Sequence, residues 1–233
     1  MAPWAPSQLQ RRVWDKRVDS WDHEGVPGLD KVVAAIVSAA EAAPGMSAVD
    51  LGCGSGQVSI PLAERGVQVT AVDVSPQMVQ RLQDRVAGSE AEQAMTGVVC
   101  AIEDFTRPRA SVDLVVSNYA LHHLRDRDKQ AVVRAAVDWL RPGGKLVVGD
   151  MMFGRGATAR DRAIIGSKVV ALARRGPGGW WRVAKNAVRY LLRVQERPCS
   201  METWVRYFEE AGLTSVAATS VIAEAAVVAG VRP

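Results

Sequence analysis

The sequence predicts an α/β fold built on a doubly wound, mostly parallel sheet, and three observations predict it. Short Val-rich runs alternate with helix-period segments from Leu29 to Asp150, the pattern of a buried parallel sheet covered on both faces. One strand-to-helix junction, Val49-Asp50-Leu51-Gly52-Cys53-Gly54-Ser55-Gly56, carries three glycines at alternate positions. The next strand, Gln68-Val69-Thr70-Ala71-Val72-Asp73, again ends in a carboxylate. Right-handed crossovers wind such units to both faces and leave the ligand at the carboxyl ends of the strands.

The elements follow in order. Residues 8–25 are polar and aromatic, with Trp14 and Trp21, and read as a short helix and loop. An Ala/Val-rich helix runs from Leu29 to Ala43 and stops at Pro44-Gly45. Strand 48–52, helix 57–65, strand 68–73 and helix 76–87 come next. That last helix has Ser75 at its N-cap and Pro76 at its first position, where each residue type is favoured. Strands 97–101 and 112–117, helix 126–140 and strand 145–150 complete the alternation. Residues 151–200 break it: they are basic, contain Gly176-Pro177-Gly178-Gly179, and read as two helices. A helix from Met201 to Ala211 ends at Gly212, and the apolar runs 214–222 and 224–231 read as an antiparallel hairpin at the sheet edge.

Length and composition bound the functional classes. A chain of 233 residues with 48% apolar and 23% charged residues fits one globular domain. There is no run of about 18 apolar residues to span a bilayer, and Met1 to Arg12 lack the apolar stretch of a secretory leader. Cys53, Cys100 and Cys199 stand far apart, without metal-ligand spacing, so no metal site and a reducing, cytoplasmic setting are expected. The net charge of +4 conceals an asymmetry: Arg155 to Arg197 holds eleven bases against two acids, so the rest of the chain is acidic.

The glycine turn narrows the cofactor. Alternating glycines admit a ligand where a Cβ would clash, and the helix start beyond offers unpaired N–H groups to an anion. A dinucleotide turn needs G-x-G-x-x-G, whereas Gln57 occupies the sixth position here. That departure argues against NAD. Asp73 falls 17 residues past Gly56, near the offset of about 20 at which such folds place an acid on ribose hydroxyls.

Together with Ser117-Asn118-Tyr119-Ala120-Leu121-His122-His123-Leu124 and Leu140-Arg141-Pro142-Gly143-Gly144, these motifs resemble the class I S-adenosylmethionine-dependent methyltransferases over roughly residues 30–150. The resemblance implies a Rossmann-like, seven-stranded, mostly parallel sheet with an antiparallel C-terminal hairpin. It implies a single domain: an N-terminal cap segment (1–28), a cofactor-binding core (29–150), a basic helical lid insert (151–200), and a last helix with hairpin (201–233). It also implies S-adenosylmethionine as cofactor and S-adenosylhomocysteine as product. Asp50, Gly52, Gly54 and Gly56 would wrap the methionine half, Asp73 would accept from the ribose hydroxyls, and Met78 would lie on the adenine face or in the core. Ala101 stands where the family often has an acid for the adenine amino group. Ile102 can still present its backbone N–H, and Glu103 or Asp104 could take over the amino group. Asn118 would face the sulfonium.

His122 and His123 admit two readings, a structural helix start or a base for a hydroxyl acceptor, since histidine titrates near 6.5. Asp150 would either face the same cleft or sit in solvent. Cys53 reads as a small buried filler, and Cys199 as no nucleophile. Asn118 lacks the Pro-Pro-aromatic sequel of enzymes acting on nucleobase nitrogens, which argues against nucleic acid as substrate.

In the insert, Arg182, Lys185, Arg189 and Arg193 recur at spacings of three and four, with Trp180-Trp181 at the start and apolar residues opposite. This is a lid with a solvated basic face, or an interfacial helix over residues 180–193 touching membrane or lipid. The expected activity is methyl transfer to a small, apolar or lipid-like acceptor. The alternatives are an RNA methyltransferase using the basic insert, and a non-catalytic or cyclase member of the fold.

Overall fold

The computed structural model describes residues 28–154, 161–163, 166, 170 and 197–233. Within them the chain forms α1 (Leu29–Ala40), β1 (Ser47–Leu51), α2 (Ser59–Ala63), β2 (Gln68–Asp73), α3 (Pro76–Val86), α4 (Glu90–Gln93), β3 (Met95–Val99) and β4 (Val112–Asn118). A 3₁₀ turn (Leu121–His123), α5 (Asp126–Trp139), β5 (Leu140–Met151), α6 (Met201–Glu210), β6 (Thr214–Ile222) and β7 (Ala225–Val231) follow. The cap segment before Gly28 and the two helices and basic face read in 151–200 lie outside the described residues, apart from the short pieces named.

The seven strands lie in the order β3-β2-β1-β4-β5-β7-β6. β1 pairs in parallel with both β2 and β4, so the winding reverses between β1 and β4, and this crevice is the switch point where ligands bind. β7 runs antiparallel between β5 and β6. The doubly wound sheet and the late antiparallel hairpin are as the sequence predicts.

Alternation along the strands distributes side chains to two cores. Ala48, Leu114, Val116 and Val147 pack with Val32 and Ile36 of α1 and Leu82 of α3. Val49, Leu51, Val115 and Val148 pack with Val133 and Trp139 of α5 and Trp204 and Phe208 of α6. Both layers are buried, which explains why the strands read as unbroken apolar runs.

Several boundaries move for local reasons. The helix expected over 57–65 shortens to Ser59–Ala63, because residues 54–58 form turns closed by Gly56 N–H donating to Cys53 O at 2.9 Å. α1 ends at Ala40, where Glu41 takes a left-handed φ of 46° ahead of Pro44. β3 starts two residues early and ends at Val99, as residues 101–105 curl into a turn with Phe105 N–H on Ala101 O. β5 begins at Leu140, because Gly143 N–H donates to Arg232 O and Arg232 N–H to Gly144 O, holding the Pro-Gly-Gly stretch extended. No helix among the described residues is long and apolar enough to cross a membrane.

Candidate active site

The carboxyl ends of β1, β2 and β4 surround a cleft lined by Gly52, Asp73, Asn118 and His123. Its β2 wall is organised by Asp73. One carboxylate oxygen accepts Gly54 N–H at 2.9 Å, and the other accepts Ser75 N–H at 2.9 Å. Ser75 in turn accepts Met78 N–H with its hydroxyl, capping α3. One side chain thereby ties the glycine loop to the start of the next helix.

The loop itself is held from below and behind. Gly52 and Cys53 both donate to Val72 O, at 2.8 and 2.9 Å, and Arg85 of α3 donates to Ser55 O at 2.6 Å. Gly52 has φ +76°, and a Cβ there would stand 2.3 Å from Ala120 Cβ. Its glycine therefore keeps the first turn of the loop against the β4 end and leaves the cleft open.

The β4 wall begins with Asn118, whose Oδ1 is buried with no hydrogen-bond partner. Tyr119 follows with φ +50°, a left-handed conformation that is costly for a non-glycine residue. Its hydroxyl is buried without a partner, and burial, with Glu224 and Asp150 nearby, raises its pKa well beyond the ordinary phenol range. Ser117 fastens this strand end to β1 by donating to Leu51 O at 2.7 Å.

Of the residues singled out by sequence, Gly52, Gly54, Asp73, Met78, Ile102, Glu103, Asn118 and His123 line the cleft. Ala101, where the family often has an acid, lines it too, and exposed Glu103 stands on the same wall. Met78 is both wall and core, with 2% exposure.

Three of the singled-out residues do not line the cleft. Gly56, at φ +93°, lies where a Cβ would meet Leu82 Cδ1 at 2.3 Å, so it serves loop-to-helix packing. Asp50 is buried, accepting the Ser59 hydroxyl at 2.6 Å, and its Oδ1 has no partner. Burial, reinforced by the charge of Asp73 and opposed by Ser59, pushes its carboxyl up to about 7. His122 is the third.

His122 is buried at 5% exposure. Its N–H donates to Asp150 Oδ2 at 2.8 Å and its Nδ1 lies 2.5 Å from Asp150 Oδ1. Asp150 also accepts Met151 N–H at 2.7 Å. The expectation that Asp150 faces the cleft or solvent is corrected: at 1% exposure it is an internal anchor for the 3₁₀ turn. His123, on the same turn, has its ring centroid 4.0 Å from that of His122 and reaches the cleft.

Cys53 is buried at 3% exposure, and burial first, then the charges of Asp73 and Asp50, raises its thiol well above the ordinary range, as befits a filler. Sequence reading passed over Gln57, Val74, Tyr119, Ala120 and Leu124 as cleft residues. Tyr119 had one available signal, its place directly after the strand-end Asn118.

An adenosyl amino-acid cofactor fits these groups. Gly52 lets the ligand and backbone approach closely, Asp73 sets a carboxylate on the cleft wall, and Asn118 Oδ1 is an acceptor awaiting a donor.

A family model described as "Methyltransferase domain" matches residues 48–144, which span β1, the glycine loop, Asp73 and the β4 wall. Residues 48–144 carry a methyltransferase domain. The methyltransferase domain is similar to the ubiquinone biosynthesis O-methyltransferase of Xanthomonas axonopodis pv. citri (strain 306). The two are 32% identical over 158 residues, 65% of this chain and 63% of that protein. It is also 33% identical over 130 residues to the 27-O-demethylrifamycin SV methyltransferase of Amycolatopsis mediterranei (strain S699), covering 53% of this chain and 47% of the relative. The chain thus spans less than two thirds of the length of these curated relatives. In fold it resembles phosphoethanolamine N-methyltransferase 1 of Haemonchus contortus, solved with phosphoethanolamine and S-adenosylhomocysteine. The TM-score is 0.58 at 24% identity, with 68% of this chain and 36% of that one covered.

Proposed function

We propose that this protein transfers the methyl group of S-adenosylmethionine to a hydroxyl oxygen of a small, largely apolar acceptor. The observation that carries the reading is one continuous cleft with Asp73 and Glu103 on one wall and Asn118 and His123 on another. When bound, the cofactor supplies an electrophilic methyl carbon on a sulfur that leaves readily.

The chain's own residues do the rest. Asp73 accepts the ribose hydroxyls in charge-assisted hydrogen bonds, Met78 and Ile102 offer apolar surface to the base, and Glu103 accepts from its amino group. The buried Asn118 Oδ1 takes a donor from the ligand. His123 receives the acceptor's hydroxyl proton, and alignment of the two reactants supplies much of the remaining rate. A hydroxyl is favoured because a histidine lines the cleft and because the curated relatives are named for O-methylation or for a demethylated oxygen. A lipid-like acceptor would also fit a peripheral membrane contact through residues 180–193, whose sequence places Arg182, Lys185, Arg189 and Arg193 after Trp180-Trp181.

The test is transfer of labelled methyl from S-adenosylmethionine into a cell extract separated into lipid, aqueous small-molecule, RNA and protein fractions. Label in the organic or small-molecule fraction, on an oxygen, is the expected result. Label in RNA would overturn the reading.

A further inference from the structure

Beside the cleft, α5 carries a lysine with no exposed surface. Lys129 is 0% exposed, and its Nζ donates to Asp126 Oδ1 at 3.1 Å, to the Arg197 carbonyl, and to Cys199 Sγ at 3.1 Å. Cys199 Sγ donates to the same Asp126 Oδ1 at 3.3 Å. Amine, thiol and carboxylate therefore touch one another pairwise, and Tyr207 borders the thiol. Methyl transfer uses none of them.

We propose that Lys129 and Cys199 are a modification site: under hydrogen peroxide they join through a reversible sulfur–nitrogen bond. The chemistry balances in two steps. The Cys199 sulfur attacks peroxide, the O–O bond breaks, and a sulfenic acid and one water form, with the thiol proton passing to Asp126 and on to the leaving oxygen. The Lys129 ammonium gives one proton to the Asp126 carboxylate, and the freed amine attacks the sulfenic sulfur. The S–N bond forms and the S–O bond breaks, the departing hydroxide takes the proton held by Asp126 and leaves as a second water, and the new nitrogen releases its one remaining surplus proton to solvent, so that Asp126 is again a carboxylate. Sulfur is oxidised by two electrons and peroxide is reduced to two waters. Sulfenic acids condense with a neighbouring nitrogen in this way, and van der Waals contact between Nζ and Sγ removes the need for any search.

The site has a defined mechanical meaning. Arg197 N–H donates to His122 O at 2.6 Å, so Arg197–Cys199 strap the 3₁₀ turn of His122 and His123 to α5. A bond from Cys199 to Lys129, 70 residues apart in sequence, would fix that strap covalently. The small residual exposure of Cys199, 7%, gives a small oxidant access.

The full-length protein is treated with hydrogen peroxide, and its peptides are mapped without reductant. The expected result is a Lys129 peptide joined to a Cys199 peptide, lighter by two hydrogens than their sum and released by dithiothreitol. Cys53, whose thiol donates to the Gly54 carbonyl, and Cys100, beside Asp104 and Glu103, serve as controls in the same sample and form no lysine link. Lys129→Arg leaves a sulfenic acid at Cys199 that dimedone traps, and Cys199→Ser forms no link. Cys199 left unmodified while Cys100 oxidises, or Cys199 driven to the sulfinic acid with Lys129 free, would overturn the proposal. The wild-type map decides it even if the Lys129 variant does not fold.

Discussion

Asp150 holds His122 twice, through the backbone N–H at 2.8 Å and through Nδ1 at 2.5 Å. The two contacts together hold the imidazole in one orientation. The turn that brings His123 to the cleft is thereby anchored to the end of β5. Asp150→Ala should leave these buried groups unsatisfied and cost about 1–3 kcal/mol of folding stability. Urea unfolding monitored by circular dichroism reads the loss, and a midpoint unchanged from wild type would show the anchor to be dispensable.

The two histidines should separate cleanly. His123→Ala is expected to lower methyl transfer to a hydroxyl acceptor by about 10²-fold or more while S-adenosylhomocysteine affinity stays near wild type. His122→Ala should instead lower stability. Equal effects of both on affinity would mean that His123 is only a packing residue.

Asp73 carries both loop geometry and the proposed ribose contact. Asp73→Ala should weaken S-adenosylhomocysteine binding by roughly 10- to 100-fold, the worth of hydrogen bonds to a charged group. Asp73→Asn keeps one acceptor oxygen for the backbone and should fall between. Isothermal calorimetry on both variants checks the order.

Gly56 offers a packing test away from the cleft. A Cβ there meets Leu82 at 2.3 Å, in a backbone conformation that side chains rarely adopt. Gly56→Ala should destabilise by about 1–3 kcal/mol, and Leu82→Ala in the same chain should recover part of the loss. Additive penalties in the double-mutant cycle would contradict this contact.

Asp50 sets a pH dependence with a definite sign. Its carboxyl is raised by burial from 3.8 to about 7 in the folded protein, so the native state binds the extra proton between those values. Stability from this group is full below about pH 4 and falls as pH rises towards 7. Asp50→Asn should flatten that slope and be the more stable protein at about pH 8. Denaturant midpoints of both proteins across this range decide it.

Much of the site was legible because its residues act through local sequence. Alternating glycines, a strand-end acid and a Ser-Pro helix start each have a conformational meaning that needs no partner. Gly52, Gly54, Asp73, Ile102, Glu103, Asn118 and His123 were read from such signals and all line the cleft. The singled-out positions that lie off the cleft have one feature in common. Gly56 and Gly54 look alike in sequence, and only the approach of Leu82 distinguishes a packing glycine from a cleft glycine. His122 and His123 are adjacent, and only the position of Asp150, 28 residues away, turns one inward.

By itself the sequence determined the doubly wound sheet, the antiparallel hairpin and the end of the sheet where a ligand binds, because hydrophobic period and turn chemistry are local properties. The tertiary structure alone decided which polar residues are buried and what they touch. Lys129 follows the charged run Arg125-Asp126-Arg127-Asp128, yet it lies fully buried against Asp126 and Cys199. Burial of a charge depends on partners that arrive from distant parts of the chain, and no local pattern encodes their meeting.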